Sequence, residues 1–260
     1  MSSLLLRSLV TPLAIAVVPA LAMAQNAQQN AGQNAVLAPA SMTASEIVQQ
    51  VQRHNQARLE QLRQYKAMRH YAVEYTGFAH TIDAKMDVEI NYDAATGKSF
   101  RIVSQSGSNL LCDKVLKKAV DSEKEASQDK TSTALSEANY RFSLLGTDTV
   151  DERPAYILHE EPLTDGKFLS RGKIWIDAED FAVVKMETEP AKNPSFFISR
   201  TSISSTSVKT DGFWLPGKTR SETKVRIGGS AVLTIDYGTY QVVPAETASP
   251  HISRADCGLG

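Results

Sequence analysis

Polar and apolar residues alternate one by one over much of this chain. Tyr71, Val73 and Tyr75 alternate with Ala72 and Glu74, and Met86, Val88, Ile90 and Tyr92 alternate with Asp87, Glu89 and Asn91. A period of two predicts strands with one face buried and the other wet. Asp93 to Gly97 supplies a turn, and Phe100 to Val103 opens a third strand. The alternation resumes from Tyr140 to Val243. Turn residues punctuate it at Asp151 to Pro154, Thr164 to Gly166, Asp177 to Asp180, Thr210 to Gly212 and Gly228-Gly229. This spacing predicts an antiparallel meander of about ten strands in all, near the size at which a twisted sheet must curl.

Two stretches have a helical period instead. Thr43-Ala44-Ser45-Glu46 fits a capping box, and Ile47, Val48, Val51, Leu59, Leu62 and Tyr65 follow at helical spacing. They predict one amphipathic helix from about Ala44 to Met68. After Ser108, the residues Leu111, Cys112, Val115, Leu116 and Ala119 form a second apolar stripe. Charges at Asp121 to Glu125 and a polar stretch from Ser127 to Ser136, expected to be mobile, follow it. The fold class expected is mainly β (α+β). Its curved antiparallel sheet forms an unclosed half β-barrel, with helices covering the concave face.

Alternation also sorts the apolar side chains by face. Ile174 and Ile176 share one, with Val184 and Met186 expected opposite them in the facing strand. Tyr140, Phe142 and Leu144 align by the same period, as do Val225 with Ile227, and Leu233 and Ile235 with Tyr237. Trp175 falls on the other face or at an edge. Two readings follow: a plain core beneath the helices, or the wall of a partly vacant apolar cavity that suits an acyl chain. In the second, Leu111, Val115, Leu116 and Ala119 belong to a helical lid.

The N-terminus changes the setting. Arg7, an apolar run from Leu9 to Ala20 and the small-x-small triplet Ala22-Met23-Ala24 read as a secretory signal peptide over residues 1–24. The run falls short of the roughly 20 apolar residues that span a bilayer. A Gln/Asn/Ala-rich leader (25–42) is expected to be disordered. The folded domain is expected over 43–243 and a tail over 244–260. The product expected is exported and soluble, most simply periplasmic. Of 28 basic residues only Arg7 lies in the leader, against 29 acidic ones, so the remainder is near neutral. That balance argues against a nucleic-acid partner. Cys112 and Cys257, the two cysteines, could pair in an oxidising compartment or remain unrelated thiols.

Chemistry-bearing motifs are missing. His54, His70, His80, His159 and His251 show no metal-ligand spacing, and there is no CxxC, GxSxG, phosphate-binding glycine loop or EF-hand pattern. No catalytic residue, metal or cofactor is assigned. Asp177, Glu179 and Asp180 read as a solvated hairpin turn.

Several segments together resemble a known family. They are Asn139-Tyr140-Arg141-Phe142 with Leu144-Leu145-Gly146, Arg153-Pro154-Ala155-Tyr156, Arg171 to Asp180, Glu189 to Phe196, Phe213-Trp214-Leu215-Pro216 and Leu233 to Tyr237. With the first helix they cover most of residues 43–243. The chain resembles the LolA/LolB-like lipoprotein carrier and lipoprotein-sorting proteins, departing from the small carriers in its Asp121 to Ser136 insert and its tail. The resemblance implies an unclosed barrel with a helical lid over a hydrophobic cavity. The partners it implies are acylated lipoproteins or lipids, together with inner- and outer-membrane transfer proteins. The expected role is a non-enzymatic periplasmic carrier. The alternatives are an envelope-stress sensor of the same fold and, further off, a lipid or envelope hydrolase.

Overall fold

The computed structural model describes residues 42–244, except 78, 79, 130, 194, 195, 197 and 227. The expected signal peptide, the leader through residue 41, the tail beyond 244, Ile227 and Cys257 lie outside the described residues. Helix α1 (Ala44–Gln61) is followed by β1 (Leu62–Thr76), β2 (Thr81–Asp93) and β3 (Gly97–Gly107). Then α2 (Asn109–Leu111), a π-helical turn at Cys112–Leu116 and α3 (Lys117–Gln128) run on without a break. The remaining strands are β4 (Tyr140–Val150), β5 (Arg153–Pro162), β6 (Ser170–Asp177), β7 (Val183–Pro190), β8 (Ile198–Thr210), β9 (Phe213–Val225), β10 (Ser230–Asp236) and β11 (Tyr240–Pro244).

All the strands join one antiparallel sheet ordered β3-β2-β1-β10-β9-β8-β7-β6-β5-β4, with β11 also paired to β1. The outermost strands, β3 and β4, do not pair with each other, so the sheet is an unclosed half-barrel. The chain crosses from one edge to the other between them, and this crossover carries α2–α3.

The capping box forms as expected. Thr43 Oγ1 accepts the Glu46 N–H at 3.3 Å, and the Glu46 carboxylate accepts the Thr43 N–H at 2.8 Å. The helix, however, stops at Gln61 rather than Met68. Leu62 and Tyr65 fit a helical period, but an irregularity between Leu62 and Gln64 brings Tyr65 into step with Ala67, Arg69, Tyr71 and Val73. All five are buried on β1, which is hydrogen-bonded on both sides. Hydrogen bonds reach the described residues of the segment expected to be mobile. Asn139 donates its side-chain amide to the carbonyls of Thr131 and Ala134, both at 2.9 Å. Gln52 on α1 donates to the Leu135 carbonyl at 3.3 Å.

Directly paired residues share a face of a sheet. The registers therefore trace one row across it: Leu144, Leu158, Ile174, Met186, Ser205, Thr219, Ile235, Tyr71, Met86. The row is apolar at both ends and hydroxyl-bearing in the middle. Over one end, Ile47, Val48 and Val51 of α1 pack on Tyr156, Leu158, Ile174 and Ile176, all at most 3 % exposed. Over the other, Leu111, Cys112, Leu116 and Val120 pack on β1 and β2 around Tyr71, Met86, Val88 and Ile90. The helix-covered face therefore holds two cores rather than one continuous apolar interior.

Val184 does not face Ile174 and Ile176 as expected. The β6–β7 register slips between Trp175 and Ile176, which pairs Ile176 with Val183 and leaves Val184 as the extra residue. Val184 packs instead with Trp175 and Ala155 in a small cluster on the opposite face.

Candidate functional site

Most of the residues expected to line a cavity are core. Ile174 and Ile176 are fully buried beneath α1, with Met186 and Phe142 packed at their margin. Tyr140 lies with Leu169 and Ala191 in a neighbouring cluster. Leu233, Ile235 and Tyr237 belong to the other core, under α2–α3. Leu144 is 39 % exposed and Val225 half-buried at the end of β9. The structure thus divides the expected set between two ends of the sheet, and helix side chains occupy the space above each. Of the expected lid residues, Leu111 and Leu116 are buried, and Val115 and Ala119 pack at their edge. Cys112 is buried beside them, with its thiol 3.6 Å from the Ser106 carbonyl.

An open apolar space lies elsewhere on the helix-covered face. A cleft of about 350 Å³ runs between the C-terminal half of α1 (Asn55, Arg58, Leu59), the start of β1 (Leu62, Tyr65), the β2–β3 hairpin (Tyr92, Lys98) and the start of β9 (Phe213 to Pro216). Its walls are mainly aliphatic and aromatic. Tyr65 stacks on Tyr92 with ring centroids 5.1 Å apart and meets Tyr240 edge-on at 5.4 Å, which fixes the floor. Burial pushes the Tyr65 hydroxyl up to about 12, so it stays neutral. Sequence reading placed Leu59, Leu62 and Tyr65 on the apolar stripe of a helix. It had no means of bringing Phe213 and Leu215 to them.

A buried ion pair joins the sheet to the second helical segment. Arg69 on β1 is fully buried; its guanidinium bonds the Glu123 carboxylate of α3 and lies 4.5 Å over the Tyr237 ring. Lys98 Nζ reaches the other oxygen of Glu123 at 3.4 Å. Burial works against both charges. The attraction of Glu123 nevertheless raises the Arg69 pKa, and Arg69 and Lys98 hold Glu123 below the usual carboxylate range. Arg69 Nε and Nη2 and the Tyr71 hydroxyl have no hydrogen-bond partner among the described residues. One patch of the site is therefore over-supplied with donors. Neither Arg69 nor Glu123 was singled out from sequence, where 54 residues separate them.

The acidic turn is solvated at Glu179, but Asp177 is not exposed as expected. Asp177 is buried and takes two bonds from Arg153, at 2.5 and 2.9 Å, as well as the N–H groups of Glu179 and Asp180. Burial raises its pKa, but these donors outweigh that and hold it low. Asp180 accepts from Arg153, Lys209 and Trp214 at 2.7–3.0 Å, which ties this turn to the β8–β9 hairpin. The arrangement is structural. Among the described residues no group of three or more His, Cys, Asp or Glu could hold a metal. Another hollow, of about 540 Å³, lies on the opposite face among ionic side chains such as Arg171, Lys173, Glu187 and Arg220.

No protein-family model matches the chain, and no curated protein matches it. Among solved structures it is similar to a DUF1329 family protein from Desulfovibrio piger (12% identity, 78% of this chain and 94% of that chain, TM-score 0.40). It is also similar to a LolA superfamily protein from Nitrosomonas europaea (11%, 78% and 94%, TM-score 0.34). A third is a domain from Vibrio parahaemolyticus named for outer membrane lipoprotein sorting (10%, 80% and 95%, TM-score 0.36).

Proposed function

We propose that this protein is an exported, non-enzymatic lipid-binding carrier that holds acyl chains, free or attached to a lipoprotein, on the helix-covered face of its half-barrel. The apolar cleft between α1, β1 and β9 carries this reading. At about 350 Å³ it sits at the lower end of the roughly 300–1,000 Å³ range of small-molecule sites, enough for part of one chain. Each methylene buried contributes about 0.8 kcal/mol, so ten would contribute about 8 kcal/mol. That is enough to keep a chain from water and still allow a receiver of similar affinity to take it. The leader pattern at residues 1–24 supports work in the periplasm, where such a chain has water to cross.

The α2–α3 segment is the natural movable cover. It is held by the buried Arg69–Glu123 pair, by Lys98 and Lys167 on Glu123 and Glu125, and by a short apolar stripe, and it spans the long crossover between the two sheet edges. Lifting it would expose the Tyr71–Met86 end of the face and extend the cleft.

The test is binding of the neutral fluorescent probe N-phenyl-1-naphthylamine to the protein and to Leu59→Asp. Leu59 lines the cleft and is 47 % exposed, so the change places a charge in the site without touching the core. The wild type should bind the probe and the variant should bind it at least about tenfold more weakly, with unaltered circular dichroism. Equal binding by a folded variant would remove the cleft from the site. No binding by either protein would remove the carrier reading.

A further inference from the structure

The rim of the cleft carries two cations, Arg58 and Lys98, whose nearby carboxylates are shared with other donors. Arg58 is half-buried in the last turn of α1, where its guanidinium bonds the Asn55 side chain, and no carboxylate lies within 4 Å of it among the described residues. The other rim cation, Lys98, shares Glu123, its one carboxylate partner among the described residues, with the buried Arg69. The nearby acids are already engaged. Asp180 accepts from Arg153, Lys209 and Trp214, and Asp93 accepts from Gln64 and the N–H groups of Ala95 and Thr96. Lys98 and Arg69 thus share a single carboxylate, Glu123, while Asp180, the acid that acts on Arg58, is already held by Arg153, Lys209 and Trp214. A half-buried cation without a carboxylate of its own is costly, and an anion brought to it offsets that cost.

We infer that the cleft selects a single-chain amphiphile with an anionic headgroup, carboxylate or phosphate monoester. The chain lies against Leu59, Leu62, Tyr65, Phe213 and Leu215, and the headgroup meets Arg58 and Lys98. This inference rests on the carrier reading and adds the class of cargo to it. Arg58 contributes a planar pair of donors suited to carboxylate or phosphate oxygens; Lys98 contributes a point charge that can leave Glu123 for a stronger partner. Headgroup binding at Lys98 would then loosen one of the two contacts that hold Glu123, and so couple loading to the α2–α3 cover.

The experiment is displacement of N-phenyl-1-naphthylamine by four ligands of one chain length: dodecanoate, dodecyl phosphate, dodecanol and dodecyltrimethylammonium. At least one anion should displace the probe at about tenfold lower concentration than dodecanol, and the cation should be weakest. The two anionic arms identify which headgroup is preferred. The advantage should shrink as salt is raised, and Arg58→Gln/Lys98→Gln should bring the anions down to the level of dodecanol. Equal displacement by all four ligands overturns the inference and leaves the carrier reading standing. So does an anion-to-dodecanol ratio that is the same in wild type and double variant. Failure of the wild type to bind the probe removes both.

Discussion

Glu160 on β5 is completely buried. Ser170 Oγ donates to its Oε1 at 2.7 Å, while Oε2 has no partner among the described residues. Its direct neighbours in the sheet, Phe142 and Gly172, bring no positive charge to it. Burial raises its pKa from 4.5 to about 7, and the Ser170 bond only partly opposes this. The sign follows from proton counting. The folded state holds this proton more tightly than the unfolded chain does, so the contribution of Glu160 to stability is greatest below pH 4.5 and falls as pH rises toward 7. A move from 4.5 to about 7 corresponds to about 3 kcal/mol. Glu160→Gln keeps the shape and removes the ionisation. The stability difference, variant minus wild type, should therefore climb by about 3 kcal/mol between pH 4.5 and 7.5 and level off above that. For a domain of this size the same change is about 6–12 °C in Tm. Urea unfolding of both proteins at half-unit pH steps measures it. A difference that is flat with pH would refute the reasoning, since Glu160 would then be solvated or paired in the folded state.

Arg69→Met should break the buried pair with Glu123 and cost about 3–5 kcal/mol. Hydrogen exchange should accelerate first over residues 109–128; uniform acceleration along the chain would deny that the pair holds the cover. Ile174→Ala should cost about 2–5 kcal/mol in urea unfolding, and a near-neutral result would mean that the space beneath α1 is not packed. Gly172 adopts φ 149°, and a Cβ there would lie 2.3 Å from the Glu187 carbonyl oxygen. Gly172→Ala should therefore lose about 1–3 kcal/mol, read by thermal unfolding, and an unchanged Tm would show that β6 and β7 separate freely.

The strand pattern and turn positions were legible because both depend on neighbours in sequence. A period of two marks Tyr71 to Tyr75 and Met86 to Tyr92, and the capping box at Thr43 needs only Glu46. What failed depends on single-residue insertions or distant pairing. Leu62 and Tyr65 satisfy two periods at once, and only pairing of β1 on both sides selects the strand. The slip beside Trp175 inverts Val184 with no local signal. Arg69 meets Glu123, and Leu62 meets Phe213 and Leu215, only after the sheet has brought β1, β2 and β9 together. The position of the cleft therefore could not be read from alternation, which assigns a face and not an empty volume.

Ser205 and Thr219 set a wet waist between two greasy ends of the same surface. Side chains across that waist transmit little packing strain, so the α1 end and the α2–α3 end share a backbone ladder but not a jigsaw. One end can come loose while its counterpart stays shut. On the proposed carrier reading, a guest would be admitted or released at one end of the molecule without melting the remainder.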